Sequence, residues 1–211
     1  MKRCLLLVDI QNDFLPGGAL EVPNGNAVIP VANELMPRFD LVVASKDWHP
    51  ADHGSFAANH PWRKPGQVID LNGLDQILWP IHCVQESFGA EFARDLQQTA
   101  IDRIFHKGTD QGIDSYSAFF DNAHRRATGL GDYLLEQGVE EVYLVGLATD
   151  YCLLFTALDA LELGFKTYVV IDGVRGIDRE TGDVERAFRK MQEKGARLVK
   201  SAEVVAFYAD K

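Results

Sequence analysis

Short runs rich in leucine and β-branched residues alternate along this chain with stretches whose apolar residues recur at helical spacing, the pattern of βαβ units. The runs fall near residues 4–8, 41–45, 102–106, 141–146, 166–171 and 197–199, and the helical stretches near 26–36, 89–98, 125–137, 152–163 and 181–194. Glycines at 138, 164 and 195 follow three of those stretches, where C-terminal caps belong. With right-handed crossovers, this order predicts an α/β fold around a six-stranded, mostly parallel sheet. The 211 residues suit one domain, 1–211, and no repeat, low-complexity tract or linker divides them.

Four of the runs end on chemistry. LLLVD closes on Asp9, LVVASKD on Asp47, RIFHK on Lys107, and YLVGLATDYC leads into Cys152. Parallel strands share their carboxyl-end edge, and open α/β sheets bind ligands along it. A thiol, an ammonium and two carboxylates are therefore expected to meet there.

Charge and cysteine usage narrow the partners. Twenty-one basic against 31 acidic residues give a net charge of −10, which opposes binding to a phosphate backbone, so nucleic acid is not expected as a partner. The apolar run in MKRCLLLVDI is interrupted by Asp9 too early for a signal or a membrane span. Three cysteines at 4, 83 and 152, with no CxxC spacing, fit a reducing cytoplasm.

Cys152 follows an apolar strand and opens a helix, with Asp150 as its expected cap. Free amides and the helix dipole there would favour a thiolate and hold an oxyanion. The competing reading is a small apolar residue packed in a core. Cys4 reads as core; Cys83, beside His82, is left open. Asp9, followed by a Pro-Gly-Gly loop, is placed to take the thiol proton, and Lys107 to steady both anions. Singly, each also reads as a turn former or a solvated charge, and Asp13 and Asp172 compete for the acid role.

Segment 47–88 breaks the rhythm, with four prolines and all three tryptophans. Asp47 and His49 share one side of an extended segment, and His53, His60 and His82 follow. Such a set suits a divalent ion, zinc, iron or manganese; histidines bonded to loop backbone are the alternative. His106 and His124 read as structural or exposed.

Taken together, VDIQNDF, SKDWHPADHGSFAANHP, WPIHCV, FHKGTD, DSYSAFFDN and GLATDYC closely resemble the nicotinamidases of the isochorismatase-like cysteine hydrolases, in family order from about residue 5 to 175. The resemblance implies a three-layer, Rossmann-like sandwich with 47–88 as the metal and substrate loop. It implies that Asp9, Lys107 and Cys152 are catalytic, and that Asp47, His49 and His82 hold the metal, with His53 and Ser55 rivals for a further place. It implies a cis peptide at Leu147–Ala148, an oxyanion hole from the amides of Ala148 and Cys152, and Phe14, Trp79 and Tyr116 around a pyridine ring. The activity implied is hydrolysis of nicotinamide to nicotinate and ammonia in NAD salvage through a Cys152 thioester, with pyrazinamide also deamidated. Monomers and larger assemblies are both compatible with it. Two rival readings of the same residues are a metal-activated water as nucleophile and a small-molecule binder without turnover.

Overall fold

The computed structural model describes residues 2–208. Its elements run β1 (Lys2–Val8), α1 (Val28–Leu35), β2 (Leu41–Asp47), β3 (Val68–Leu71), β4 (Leu74–Ile77), β5 (Arg103–Lys107), α2 (Leu130–Glu136), β6 (Val139–Leu147), α3 (Cys152–Glu162), β7 (Lys166–Arg175), α4 (Asp183–Glu193), β8 (Arg197–Val199) and α5 (Ser201–Tyr208). Six strands form one sheet in the order β5-β2-β1-β6-β7-β8, and every pairing in it is parallel.

The three layers follow from the strand period. In β1, Cys4, Leu6 and Val8 face one side, packing with Leu153, Ala157 and Met191 from α3 and α4. Leu5 and Leu7 face the other, packing with Val28, Ala32 and Leu35 of α1 and Val204 of α5. All five β1 residues are fully buried, and alternate side chains can be apolar throughout only where a sheet is covered on both faces. Among the described residues, no helix is long and apolar enough to cross a membrane.

Three expectations are corrected. Residues 89–98 form no α-helix; short 3₁₀ turns at Phe88–Ala90 and Gln98–Ala100 flank a single bridge residue, Phe92, and a turn. Phe92, Ala93 and Leu96 are buried as a helical period suggests, but Asn12 N–H donates to Glu91 O and Ala93 N–H to Ile10 O. Pairing with the loop after β1 outcompetes the local helix. Segment 47–88 contains an antiparallel hairpin, β3 with β4, turning on Asn72 (φ 53°) and Gly73 (φ 85°). Asn-Gly between alternating apolar residues is a strong hairpin signal, and it stands in this sequence. The third correction is α5, also unforeseen, whose first residue Ser201 donates from its amide and its hydroxyl to Asp172 at 2.8 and 2.6 Å. That bond occupies Asp172 structurally and removes it from the acid role.

Candidate active site

β5, β2, β1 and β6 are consecutive neighbours, so their carboxyl ends deliver Lys107, Asp47, Asp9 and, just beyond β6, Cys152 to one place. Lys107 is the hub. Its Nζ donates to Asp47 Oδ1, lies 2.9 Å from Asp9 Oδ2, donates to Ser115 O at 2.9 Å, and stands 3.4 Å from Cys152 Sγ. Asp9, Asp47 and Cys152 bring an oxygen or sulfur each within 4.8 Å of one another. All four residues are buried.

Burial sets the protonation states. It would strip the Lys107 proton, but Asp47 and Asp9 outweigh it and hold the ammonium well above its ordinary value. Burial likewise pushes Asp47 up, and there Lys107 and His49 prevail, holding it well below the carboxylate range. Asp9 goes the other way: burial raises it, and Lys107 and the Ser45 hydroxyl only partly offset this. Ser45 Oγ donates to Asp9 Oδ1 at 2.6 Å. Oδ2 is ion-paired with Lys107 and, among the described residues, accepts no hydrogen bond of good geometry, and the carboxylate faces the Cys152 thiol.

Cys152 departs from the expectation of a stabilised thiolate. Burial pushes its thiol well up, Lys107 opposes, and Asp9 and Asp47 add to the rise. The resting group is the S–H, because a buried anion between two carboxylates costs more than one helix terminus and one ammonium return. Asp150 is not the cap of α3 either. Tyr151 occupies the N-cap position and its side chain makes no capping bond, while Asp150 accepts from the amides of Ile177 and Asp178 at 2.9 and 2.7 Å. Asp13, the other rival acid, is likewise engaged, accepting from Cys83 N–H at 2.7 Å.

Asp47, His49 and His82 form a second buried group adjoining the first. Each ring faces a backbone carbonyl with Nδ1, His49 toward Gly108 O and His82 toward Pro80 O, both at 2.8 Å. That fixes the Nδ1–H tautomer and turns each Nε2 toward Asp47 Oδ2, at 3.5 and 3.6 Å. Two lone pairs and a carboxylate oxygen then converge. Burial lowers His49, yet Asp47 overrides it and lifts the ring above the usual imidazole value, so the space between them favours positive charge. The donor set fits a divalent cation. Asp47 is held by Gln11, whose side chain donates to Asp47 O and accepts from Asp47 N–H, both at 2.8 Å.

His53 and Ser55 lie alongside. His53 Nδ1 faces Ser55 Oγ at 2.7 Å, Nε2 has no partner among the described residues, and burial with His49 pushes the ring down to about 4. His53 also forms a group with His49 and Asp114. His60 faces Gly54 O at 2.7 Å, and His106 stacks on Trp48; neither reaches the cluster.

Above the thiol lies an aromatic pocket lined by Phe14, Trp79 and Tyr116 together with Ala148, His82 and Cys152. Trp79 Nε1 donates to Tyr116 Oη at 3.2 Å, and Tyr151 meets Trp79 edge-on at 5.0 Å. The free room is about 20 Å³, that of about one water, and Tyr116 and Tyr151 at its edge are half-buried. Leu147–Ala148 is cis, as the resemblance implies. The amide of Cys152, first in α3, has no carbonyl one turn back within its helix. Sequence reasoning missed Leu20, Asp114, Tyr151 and Ile177 in this lining, and the Gln11 and Ser45 supports. Tyr151 and Asp114 sit inside motifs already singled out; Leu20 and Ile177 arrive through folding alone.

The model of the isochorismatase domain matches residues 3–203. The chain is 51% identical to a nicotinamidase of Escherichia coli over 93% of each chain. A solved nicotinamidase and pyrazinamidase from Acinetobacter superposes with a TM-score of 0.93 at 45% identity, covering 96% of this chain and 98% of the other. A pyrazinamidase of Pyrococcus horikoshii, solved in complex with zinc, superposes at 0.77 with 39% identity, covering 95% and 99%.

Proposed function

The chain belongs to the isochorismatase family, and on that premise we propose that it hydrolyses nicotinamide to nicotinate and ammonia, a step of NAD salvage, and deamidates pyrazinamide as well. The carrying observation is the contact of Cys152 Sγ with Lys107 Nζ at 3.4 Å, with the open oxygen of Asp9 beside them, beneath an aromatic pocket. The whole chain acts as one hydrolase domain, with 47–88 as its metal and substrate loop. Three free, buried cysteines accord with a reducing compartment, and we place the enzyme in the cytoplasm.

The reaction proceeds by acyl transfer. Asp9 Oδ2 takes the thiol proton as Sγ attacks the carboxamide carbon, so that charge forms on sulfur only while the C–S bond is being made. The amides of Ala148 and Cys152 receive the tetrahedral oxygen. Asp9 returns its proton to nitrogen, the C–N bond breaks, and ammonia leaves a thioester. Water then gives a proton to Asp9 and attacks the same carbon; the C–S bond breaks, and the proton goes back to sulfur. Lys107 stays protonated throughout and balances Asp9 and Asp47. Phe14, Trp79 and Tyr116 hold the ring at near-attack distance.

Asp47, His49 and His82 would hold the divalent cation, zinc first, with iron or manganese as alternatives and His53 or Ser55 as an additional contact. When bound it supplies a Lewis-acid anchor for the pyridine nitrogen, directly or through water.

The test is ammonia release from nicotinamide and from pyrazinamide by the purified protein, with metal analysis of the same sample. Turnover of both amides with bound metal is the expected result. Micromolar binding of nicotinamide without ammonia would instead make the protein a binder.

A pH profile tests the role of Asp9. The base must be ionised, and burial raises Asp9, so the acid limb of kcat/KM is expected above the ordinary carboxylate value of about 3.9. Ser45→Ala removes the bond that favours the carboxylate and should move that limb to higher pH. An unmoved limb would point to another base.

A further inference from the structure

A second cluster of metal-type donors lies along α3, beside a cleft that shares Tyr116 with the aromatic pocket but contains neither Cys152 nor the Asp47 group. His124 Nε2 is 3.1 Å from Asp159 Oδ1, and Glu162 follows Asp159 by three residues, on the same face of the helix. Ligand atoms of His124, Asp159 and Glu162 all lie within 4.8 Å of one another.

Asp159 separates this group from an ordinary exposed ion pair. The residue is only 6% exposed, and its second oxygen, Oδ2, is buried with no hydrogen-bond partner among the described residues. Burial raises the carboxyl, with a hydrogen bond to Ser117 and the charge of His124 pulling the other way. A carboxylate oxygen shut away from water with no well-directed donor is costly, and a cation would satisfy it. Asp159 and His124 also line a cleft of about 280 Å³ with Asp75 and Asp121, enough room for waters to complete a coordination shell. Stacking on Phe120 at 4.7 Å sets the plane of the His124 ring. Asp121 ties down the chain around it by accepting from the amides of Arg125 and Arg126 at 2.7 and 3.0 Å.

We propose that His124, Asp159 and Glu162 form a second divalent-cation site, independent of the Asp47 group, suited to a first-row transition ion such as zinc. One imidazole with two carboxylates matches that class better than magnesium or calcium, which prefer oxygen alone. Zinc bonds of about 2.0–2.2 Å require the donors to draw together, and the exposed His124 and Glu162 side chains are free to do so. The ion would clip the 121–126 loop to the helix that begins at Cys152.

Holoenzyme carrying its first cation would be dialysed against micromolar zinc chloride, then submitted to metal analysis and thermal melting. Wild type is expected to gain one zinc per chain and to melt a few degrees higher, while His124→Ala and Glu162→Gln gain none, melt unchanged with zinc, and keep wild-type turnover of nicotinamide. Asp47→Asn, losing the first cation, should still gain the second. The site is overturned if wild type takes up no additional zinc, or if both variants take up as much as wild type does.

Discussion

Cys152→Ala is expected to lower nicotinamide turnover by about ten-thousand-fold or more, the scale at which removal of a nucleophile acts. The variant should fold, because Cys152 is a small, 7%-exposed residue packed among Leu153 and Ala157, and trimming one sulfur costs about 1 kcal/mol or little more. Its KM should move little if, as proposed, the ring is held by Phe14, Trp79 and Tyr116. Acid quench of the wild-type enzyme during turnover, followed by mass analysis, should reveal a nicotinoyl increment on Cys152 that the variant lacks. Activity within about tenfold of wild type would instead assign the attack to a metal-activated water. The resting thiol, held protonated by burial, sharpens the comparison: alkylation by iodoacetamide should be slow in the free enzyme, because the thiolate is the reactive form.

The second large effect is expected at Lys107. Lys107→Met keeps the length of the side chain and removes the charge, leaving Asp9 and Asp47 buried with no ammonium between them. Breaking a buried pair in this way costs about 3–5 kcal/mol, or a fall in Tm of about 6–20 °C for a chain of this size. Full burial of the group means that solvent does not screen the loss. Thermal melting in matched buffers measures it. Asp9, relieved of the charge that lowers it, should rise, so that residual activity appears only at higher pH. An unchanged Tm together with an unchanged pH profile would show that the ammonium holds neither carboxylate.

Much of this site was legible in the sequence because strand ends are. An apolar run that stops at Asp9, Asp47 or Lys107 marks both a β-strand and its carboxyl terminus, and parallel order then gathers the three. The family motifs carried the rest of the residue list. The protonation state of Cys152 was not legible: it depends on total burial and on two carboxylates from other strands, neither of which the local GLATDYC segment contains. For the same reason Asp150 looked like a helix cap until the amides of Ile177 and Asp178 claimed it. Residues 89–98 carry an honest helical period, and only the distant partner at 10–12 overrules it. The Asn72-Gly73 hairpin, by contrast, is written in local terms alone.

The order β5-β2-β1-β6 has a consequence for quality control of the folded protein. Side chains switch faces at every step along a strand, so a single-residue slip of β2 against β1, which now aligns Val43 with Leu6, would carry Asp47 and its β5 partner Lys107 away from Asp9 and Cys152 while leaving the helix and strand content almost unaltered. Catalytic competence therefore reports alignment of four ribbons at once, and in metal-replete protein a normal circular dichroism spectrum with a low fraction of titratable active sites is the signature expected of a misaligned sheet.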